Sequence, residues 1–533
     1  VVIGAGIGGL TAAALLAKAG LDVCVLEMDA RPGGYLAGFK RKKFIFDTAI
    51  HWLNQCGPGG MVRRVLDFVG PGAPPTPQLR RIRRYKGESF DYTLTDDPDQ
   101  LRDQLIADNP DEADAITRFF AVARKIGDAF ELMSSGARAR ETMSALEQAR
   151  YGMRMAKVGL IFGRWVATDT ETAFRKHFPS KALERMFCSE HMILSCLTPI
   201  GWAYHGDYQI PPAGGSLEFP RFLVDAIQSF GSRVIYRARV EKIHVEGKRA
   251  RAVELVHGTR DPQRHTIECD WVLAACDLET VYERMLPEGA IPQSTIEKLR
   301  DAELYDSCVS IALGLDVPTQ ALGFDEELVM LTRDDVSRKA HNEGDPHESA
   351  ISILAPSLRD PTMAPSDKGT LTLLTTANIE YGDRWRTGPD FERGPEYEAF
   401  KQAYADVVID RVAAALCPNL REHIEICDVA TPITHRRYTG NRDGTIMAAK
   451  PSRANIRNDV AHYVTPIENL LLSSHWAEYG GGVPVAVRAG ANSALLVLKR
   501  EKPGAFAILR DVLDAKREPG DVDPEHFKQL TPA

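Results

Sequence analysis

The strongest limit on the fold lies in the opening stretch that ends at Glu27. Val1-Val2-Ile3 is a short β-branched run, the mark of a buried parallel strand. Gly4-Ala5-Gly6-Ile7-Gly8-Gly9 follows at once, and Leu10 to Ala19 then reads as a helix of small and apolar residues, ended by Gly20. Leu21 to Leu26 is a second strand, closed by Glu27. Within the turn, Gly4 permits the sharp exit from the strand and Gly6 lets backbone approach a pyrophosphate. Gly8 stands beside Gly9, which lets the helix pack close on the sheet. Free N–H groups and the positive dipole end at the helix N-terminus favour phosphates. Glu27 is placed to accept hydrogen bonds from ribose hydroxyls. A glycine-rich turn without a ligand is the rival reading, and the strand–turn–helix–strand–acid order disfavours it.

Asp29-Ala30-Arg31-Pro32-Gly33-Gly34 comes almost directly after Glu27. A second glycine pair with an arginine suggests another close backbone approach to the same long ligand. This stretch resembles the second dinucleotide motif of the amine oxidase and phytoene desaturase superfamily of FAD enzymes. The resemblance implies FAD as cofactor and adds Glu27, Arg31, Gly33 and Gly34 to its site.

A matching feature stands near the other end of the chain. Asn469 to Ser474 reads as a strand leading to a polar turn, and His475 to Tyr479 leads into Gly480-Gly481-Gly482-Val483-Pro484. Val485 to Lys499 is then a helix with Val487, Ala491, Ala494, Leu495 and Leu498 on one face. By the superfamily resemblance this segment closes over the flavin, with Ser474, Gly481, Gly482 and Val483 at the cofactor. The usual strand ending, Gly-Asp or Gly with a small residue, is here Ser474-His475. Two remote segments serving one ligand make the nucleotide-binding domain discontinuous.

Between them, Tyr208 to Ser216 precedes a helix at 217–229, and strands follow at 233–237, 239–244, 252–256 and 271–277. By analogy Val240 lies near the adenine. Further strands at 308–314, 351–355 and 370–376 and a helix at 394–416 read as a substrate domain with its own sheet. The expected fold is α/β: a discontinuous Rossmann-like FAD-binding domain with a second, mixed-sheet and helical substrate domain. The FAD-binding parts are placed at 1–95, 208–300 and 429–500. A helical substrate- or membrane-facing region takes 96–207, the substrate sheet 301–428, and a helix and tail 501–533.

Over nearly its whole length the chain resembles the phytoene desaturase family, nearer the branch with carotenoid isomerase and retinol saturase. The carrying segments are Phe46-Asp47-Thr48-Ala49-Ile50-His51, Ala355-Pro356-Ser357 with Lys368 to Thr372, and Thr431-Pro432-Ile433-Thr434-His435-Arg436-Arg437-Tyr438. The resemblance implies hydride exchange between flavin N5 and carbon in a hydrophobic polyene or isoprenoid, by desaturation, saturation or isomerisation. A proton donor is useful where hydride is delivered. His51, Glu478 and Tyr479 are the candidates for catalysis, each against the rival reading of a structural anchor. Asp47 reads as a backbone anchor. His435 and Arg436 are candidates for a tunnel mouth. Two alternatives stand beside this reading: an amine-oxidase-like enzyme on a polar amine, and a non-catalytic lipid escort on the same fold.

A net charge of -8 argues against nucleic acid as the main partner. Nine cysteines without a C-x-x-C pair suggest a reducing compartment and no metal site. The expected location is cytoplasmic. Val1 already lies inside a strand, so the native chain is expected to start a few residues earlier. Tyr151 to Val166 mixes apolar residues with Arg154, Lys157 and Arg164, as an interfacial membrane helix does; a core helix flanking the tunnel is the rival. The basic runs Lys40 to Lys43 and Arg80 to Arg84 read as solvated edges, with anionic lipid as the minority alternative.

Overall fold

The fold is described from a computed structural model, over residues 1–48, 51–134, 138–166 and 168–529. Ala49 and Ile50, inside the run that carries His51, lie outside the described residues.

Three of the expected nucleotide-domain segments build one five-stranded sheet. Its strand order is Leu470–Leu472, Val272–Ala274, Val2–Ile3, Cys24–Leu26, Arg233–Ile235, all parallel. These strands are only two or three residues long. The apolar strands at its centre are buried on both faces, which explains their unbroken hydrophobic runs. The helix Ile7–Lys18 packs on this sheet beside the helix Val483–Glu501 from the other end of the chain. Their contact is backbone to backbone. A Cβ on Gly490 would sit 2.2 Å from the Gly8 carbonyl, and one on Gly8 would sit 2.6 Å from the Ser473 carbonyl. Small residues at this crossing therefore close the discontinuous domain.

Strands Ala238–Glu246, Arg249–His257 and Gln263–Glu268 form an antiparallel flap beside that sheet. A seven-stranded mixed sheet makes the second layer system, in the order Ile424–Ala430, Ser307–Leu315, Gly369–Ala377, Ile351–Leu354, Leu328–Leu331, Arg81–Lys86, Asp91–Thr95. The helix Pro395–Leu416 buries Tyr404, Val408, Ile409 and Val412 against it. Helices between 98 and 204 pack around Phe119, Phe120, Phe174, Phe178 and Phe187.

One boundary differs from expectation. Residues 81–95 do not join the first nucleotide-binding part. Arg81–Lys86 pairs in parallel with Leu328–Leu331 and extends the substrate sheet. In the carboxy-terminal segment, the helix Pro503–Leu513 packs Ala505, Ile508, Leu509 and Val512 into the same core as the amino-terminal helix. Each basic run has members paired with carboxylates. Arg81 meets Glu327 at 2.8 Å, Arg84 meets Asp91 at 2.6 Å and Arg41 meets Asp428 at 2.6 Å.

Candidate active site

One cavity of about 1930 Å³ runs between the two sheets. Ligand pockets usually measure about 300–1,000 Å³, so this one has room for a dinucleotide and a second long molecule. Its floor is the amino-terminal turn. Gly4, at φ +102°, carries the chain sharply out of its strand, where the Gly4 N–H donates to the Leu26 carbonyl at 2.8 Å. Gly9 does not face the cavity: a Cβ there would meet the Gly4 carbonyl at 2.3 Å and Ala275 at 2.7 Å, so it serves close helix–sheet packing. Gly6 does face the cavity, and nothing lies within 4 Å of where its Cβ would be. Bare backbone opening into a void is what close approach of a pyrophosphate requires.

Glu27 lines the cavity and accepts from the Ala5 N–H at 2.7 Å and the Asp29 N–H at 2.8 Å. Burial pushes its carboxyl above the usual range, while these two N–H groups oppose that shift. The same carboxylate thus braces both glycine turns. Gly33 and Gly34, at φ +126° and +55°, bring the second turn against the first, with the Gly33 N–H donating to the Ala5 carbonyl at 2.8 Å. Val240 and Arg239 wall the cavity near Glu27, where the Ala238 N–H donates to the Glu27 carbonyl. Arg31 is exposed and is not among the lining residues. Gly8, Ser474, Gly481, Gly482 and Val483 all line the cavity, the last three at the N-terminus of the helix Val483–Glu501.

The catalytic candidates separate. His51 lines the cavity, and its carbonyl accepts from Arg359. Burial, with Arg359 and Arg83 nearby, pushes its imidazole down to about 4, so the ring is neutral at pH 7. Asp47 accepts from the Ser216 N–H at 2.9 Å and its hydroxyl at 2.6 Å, which anchors the turn before the helix Glu218–Ser229. Glu478 does not line the cavity. Tyr463 donates to one of its oxygens and Arg488 to the other, so both are engaged behind the turn. Tyr479 lines the cavity, yet its hydroxyl donates to the Asn455 carbonyl at 2.8 Å. The geometry of these two fits anchors of the glycine turn. His435 is buried with Nε2 3.5 Å from Cys308 Sγ, away from any mouth. Arg436 lies over the Phe391 ring in a separate surface cleft.

Residues 2–69 match the model of an NAD(P)-binding Rossmann-like domain. An all-trans-retinol 13,14-reductase of Danio rerio is 25% identical across 89% of this chain and 81% of its own length. An inactive all-trans-retinol 13,14-reductase of the same organism is 25% identical across 81% and 74%. A prolycopene isomerase of Daucus carota is 25% identical across 84% and 71%. The chain is a homologue of retinol 13,14-reductase and prolycopene isomerase. Among solved structures, an oxidoreductase from Methanosarcina mazei superposes with a TM-score of 0.56 at 17% identity, over 93% of this chain and 99% of that one. A putrescine oxidase does so at 0.56 and 13%, over 94% and 98%. The Rossmann-like α/β fold is shared along the length of these chains.

One residue at the site was visible in the sequence only as a departure from pattern. His475 lines the cavity beside Ser474, and its buried Nε2 has no hydrogen-bond partner among the described residues. Burial pushes this imidazole down to about 4. A neutral ring with an unspent nitrogen suits a hydroxyl-rich ligand segment. The aromatic part of the cavity, between Trp52, Phe130 and Trp202, was also not foreseen, because these rings come from separate segments. Among the described residues no cluster could hold a metal ion, and the nine cysteines are free.

Proposed function

We propose that this chain is an FAD-dependent oxidoreductase acting on C–C or C=C bonds of a hydrophobic polyene or isoprenoid, of the retinoid or carotenoid kind. One observation carries the reading: the glycine turns from both ends of the chain open into a single cavity that continues between aromatic walls. The chain's residues fit the cofactor. Gly6 offers a bare approach to the diphosphate, Glu27 has acceptor capacity for ribose, and His475 Nε2 is unspent where a ribityl chain would run. The N-terminus of the helix Val483–Glu501 lines the cavity, and its dipole would favour negative charge on a cofactor held there. A bound flavin supplies a two-electron hydride donor and acceptor at N5.

The protein's own part is alignment, exclusion of water and handling of a proton. A polyene offers no carboxylate or amine to grip, so apolar walls such as Trp52, Phe130 and Trp202 must hold it by shape. Saturation adds hydride to one carbon and a proton to its neighbour; desaturation removes both; isomerisation leaves the mass unchanged. His51 is the cavity-lining candidate for handling the proton: with its carbonyl held by Arg359, the neutral imidazole is fitted to accept the proton that desaturation releases, whereas saturation would require the ring to be protonated first. Support for the substrate class comes from the retinol and carotenoid relatives and their coverage of the chain.

The decisive experiment reduces the purified holoenzyme anaerobically, adds candidate polyenes and follows flavin absorbance together with product mass. Reoxidation with a gain of two hydrogens identifies saturation. A shifted isomer at unchanged mass identifies isomerisation, and bleaching of oxidised enzyme by a polyene identifies desaturation. Bleaching by an amine alone would instead assign the protein to amine oxidation. Absence of any flavin uptake would refute the proposal.

A further inference from the structure

The helix Ala145–Phe162 stands on the outer wall of the cavity and has two unlike faces. Its inner side is firmly held. Glu147, Arg150, Tyr151 and Arg154 line the cavity, and Val158 is the helix's buried residue. Ser144 and Glu147 form a capping box at its start. Arg138 joins Glu147 at 2.6 Å to Asp514 at 2.7 Å, tying this end of the helix to the carboxy-terminal segment.

The outer side is different. Leu146, Arg150, Met153, Lys157 and Leu160 follow one another at alternating four- and three-residue steps, which puts them on one stripe of a 3.6-residue helix. Leu146 is 61% exposed, Met153 64% and Leu160 84%, far more than apolar side chains of a packed helix. From Leu146 to Leu160 the stripe runs roughly 21 Å at 1.5 Å per residue. Arg150 and Lys157, both exposed, alternate with the apolar residues along it, Arg150 at the edge of the stripe where it also borders the cavity. No helix among the described residues is long and apolar enough to cross a membrane.

We infer that this stripe seats the protein on a bilayer surface bearing anionic lipid, with Leu146, Met153 and Leu160 entering the headgroup boundary and Arg150 and Lys157 meeting phosphates. Apolar residues alternating with cations along an in-plane helix are what an interfacial anchor needs. A second copy of the chain fits the stripe less well. Antiparallel pairing across a two-fold axis would press Arg150 and Lys157 against their own kind. The inference rests on the proposed function in one respect: a water-insoluble substrate has to come from a bilayer, and the inner face of this helix already walls the cavity.

The test is flotation of the flavin-loaded protein with vesicles of pure phosphatidylcholine and of phosphatidylcholine with 30% phosphatidylglycerol. Binding is expected on the anionic vesicles, at least tenfold weaker on the neutral ones, and weakened by salt. Met153→Gln with Leu160→Gln should cut binding at least tenfold. Lys157→Glu, a change of two charges at about fivefold each, should cut it roughly 25-fold. Flavin content and melting temperature should match the parent protein in both variants, which excludes misfolding. The inference is overturned if the parent protein floats with neither vesicle, or if the double variant floats equally well. It is also overturned if the stripe proves to hold a dimer that the double variant turns into monomer. Flotation needs no substrate, so it can fail while the polyene reaction succeeds, or the reverse.

Discussion

Substituting Gly490 by alanine tests whether the two ends of the chain are locked together as the structure shows. Gly490 lies inside the helix Val483–Glu501, where alanine would normally be an improvement of about 1 kcal/mol in helix propensity. Its surroundings reverse the sign. The added Cβ would lie 2.2 Å from the Gly8 carbonyl oxygen, 2.9 Å from Thr11 Cβ and 3.1 Å from the Ala12 nitrogen. All three belong to the amino-terminal helix or its N-terminal turn, so relief requires the two helices to part. Overpacking of this kind costs about 1–3 kcal/mol. A clash at 2.2 Å with a fixed backbone oxygen belongs in the upper part of that range, about 2–3 kcal/mol, and subtracting the propensity gain of about 1 leaves a net loss on the order of 1–2 kcal/mol. At about 2–4 °C per kcal/mol for large domains, the melting temperature should fall by roughly 2–8 °C. Flavin should also be held less well, because Gly8 belongs to the cofactor turn. The assay is thermal unfolding by circular dichroism with flavin fluorescence as a second signal. Gly152→Ala is the control. It lies in the exposed outer helix with no atom within 4 Å of its Cβ, and should stabilise by about 0.5–1 kcal/mol. A Gly490→Ala protein that melts at or above the parent temperature with its flavin in place would refute the account of how the domain closes.

Gly6→Val should leave the melting temperature of the flavin-free protein unchanged, since φ is -70° and nothing crowds the Cβ, yet weaken FAD binding at least tenfold, about 1.4 kcal/mol; titration followed by flavin fluorescence would expose an error if affinity survived. His435 is held by burial at about 4 against an ordinary 6.5. The unfolded chain therefore binds the proton that the folded ring refuses, so this contribution to stability is complete above pH 6.5 and drains away as pH falls towards 4. A shift of this size is on the order of 3 kcal/mol. Buried carboxyls such as Asp47 and Glu27 are raised and act in the opposite direction, so the comparison is the difference between the parent protein and His435→Gln. Urea denaturation at several pH values should show a shallower loss on acidification in the variant, and parallel curves would count against a neutral buried ring. Glu478→Gln should destabilise by about 1–3 kcal/mol, because it strips Arg488 and Tyr463 of a charged acceptor. Combining it with Arg488→Gln should cost less than the sum of the two, and a large loss of turnover at unchanged stability would restore Glu478 to the chemistry.

Local order along the chain was enough to locate the glycine turns that line the cavity. A β-branched run, three spaced glycines, a helix of small residues and a closing acid are mutually consistent only when phosphate-binding backbone faces outward, and Gly4, Gly6 and Glu27 lie accordingly. The same holds for the helices at 218–229, 395–416 and 483–501, whose apolar spacing and glycine or proline ends are written within each segment. Pairing of strands was not legible in this way. Arg81–Lys86 reads in the sequence only as part of a basic run, and its partner Leu328–Leu331 is chosen through backbone hydrogen bonds, which are alike in every residue. The roles of Glu478, Tyr479 and His475 were decided later still. Each depends on what distant segments bring to it: Tyr463 and Arg488 to the first, the Asn455 carbonyl to the second, and to His475 Nε2 no partner among the described residues. Residue type states which hydrogen bonds a side chain is able to make. Only packing in three dimensions decides which of them are already used inside the protein and which remain for a ligand.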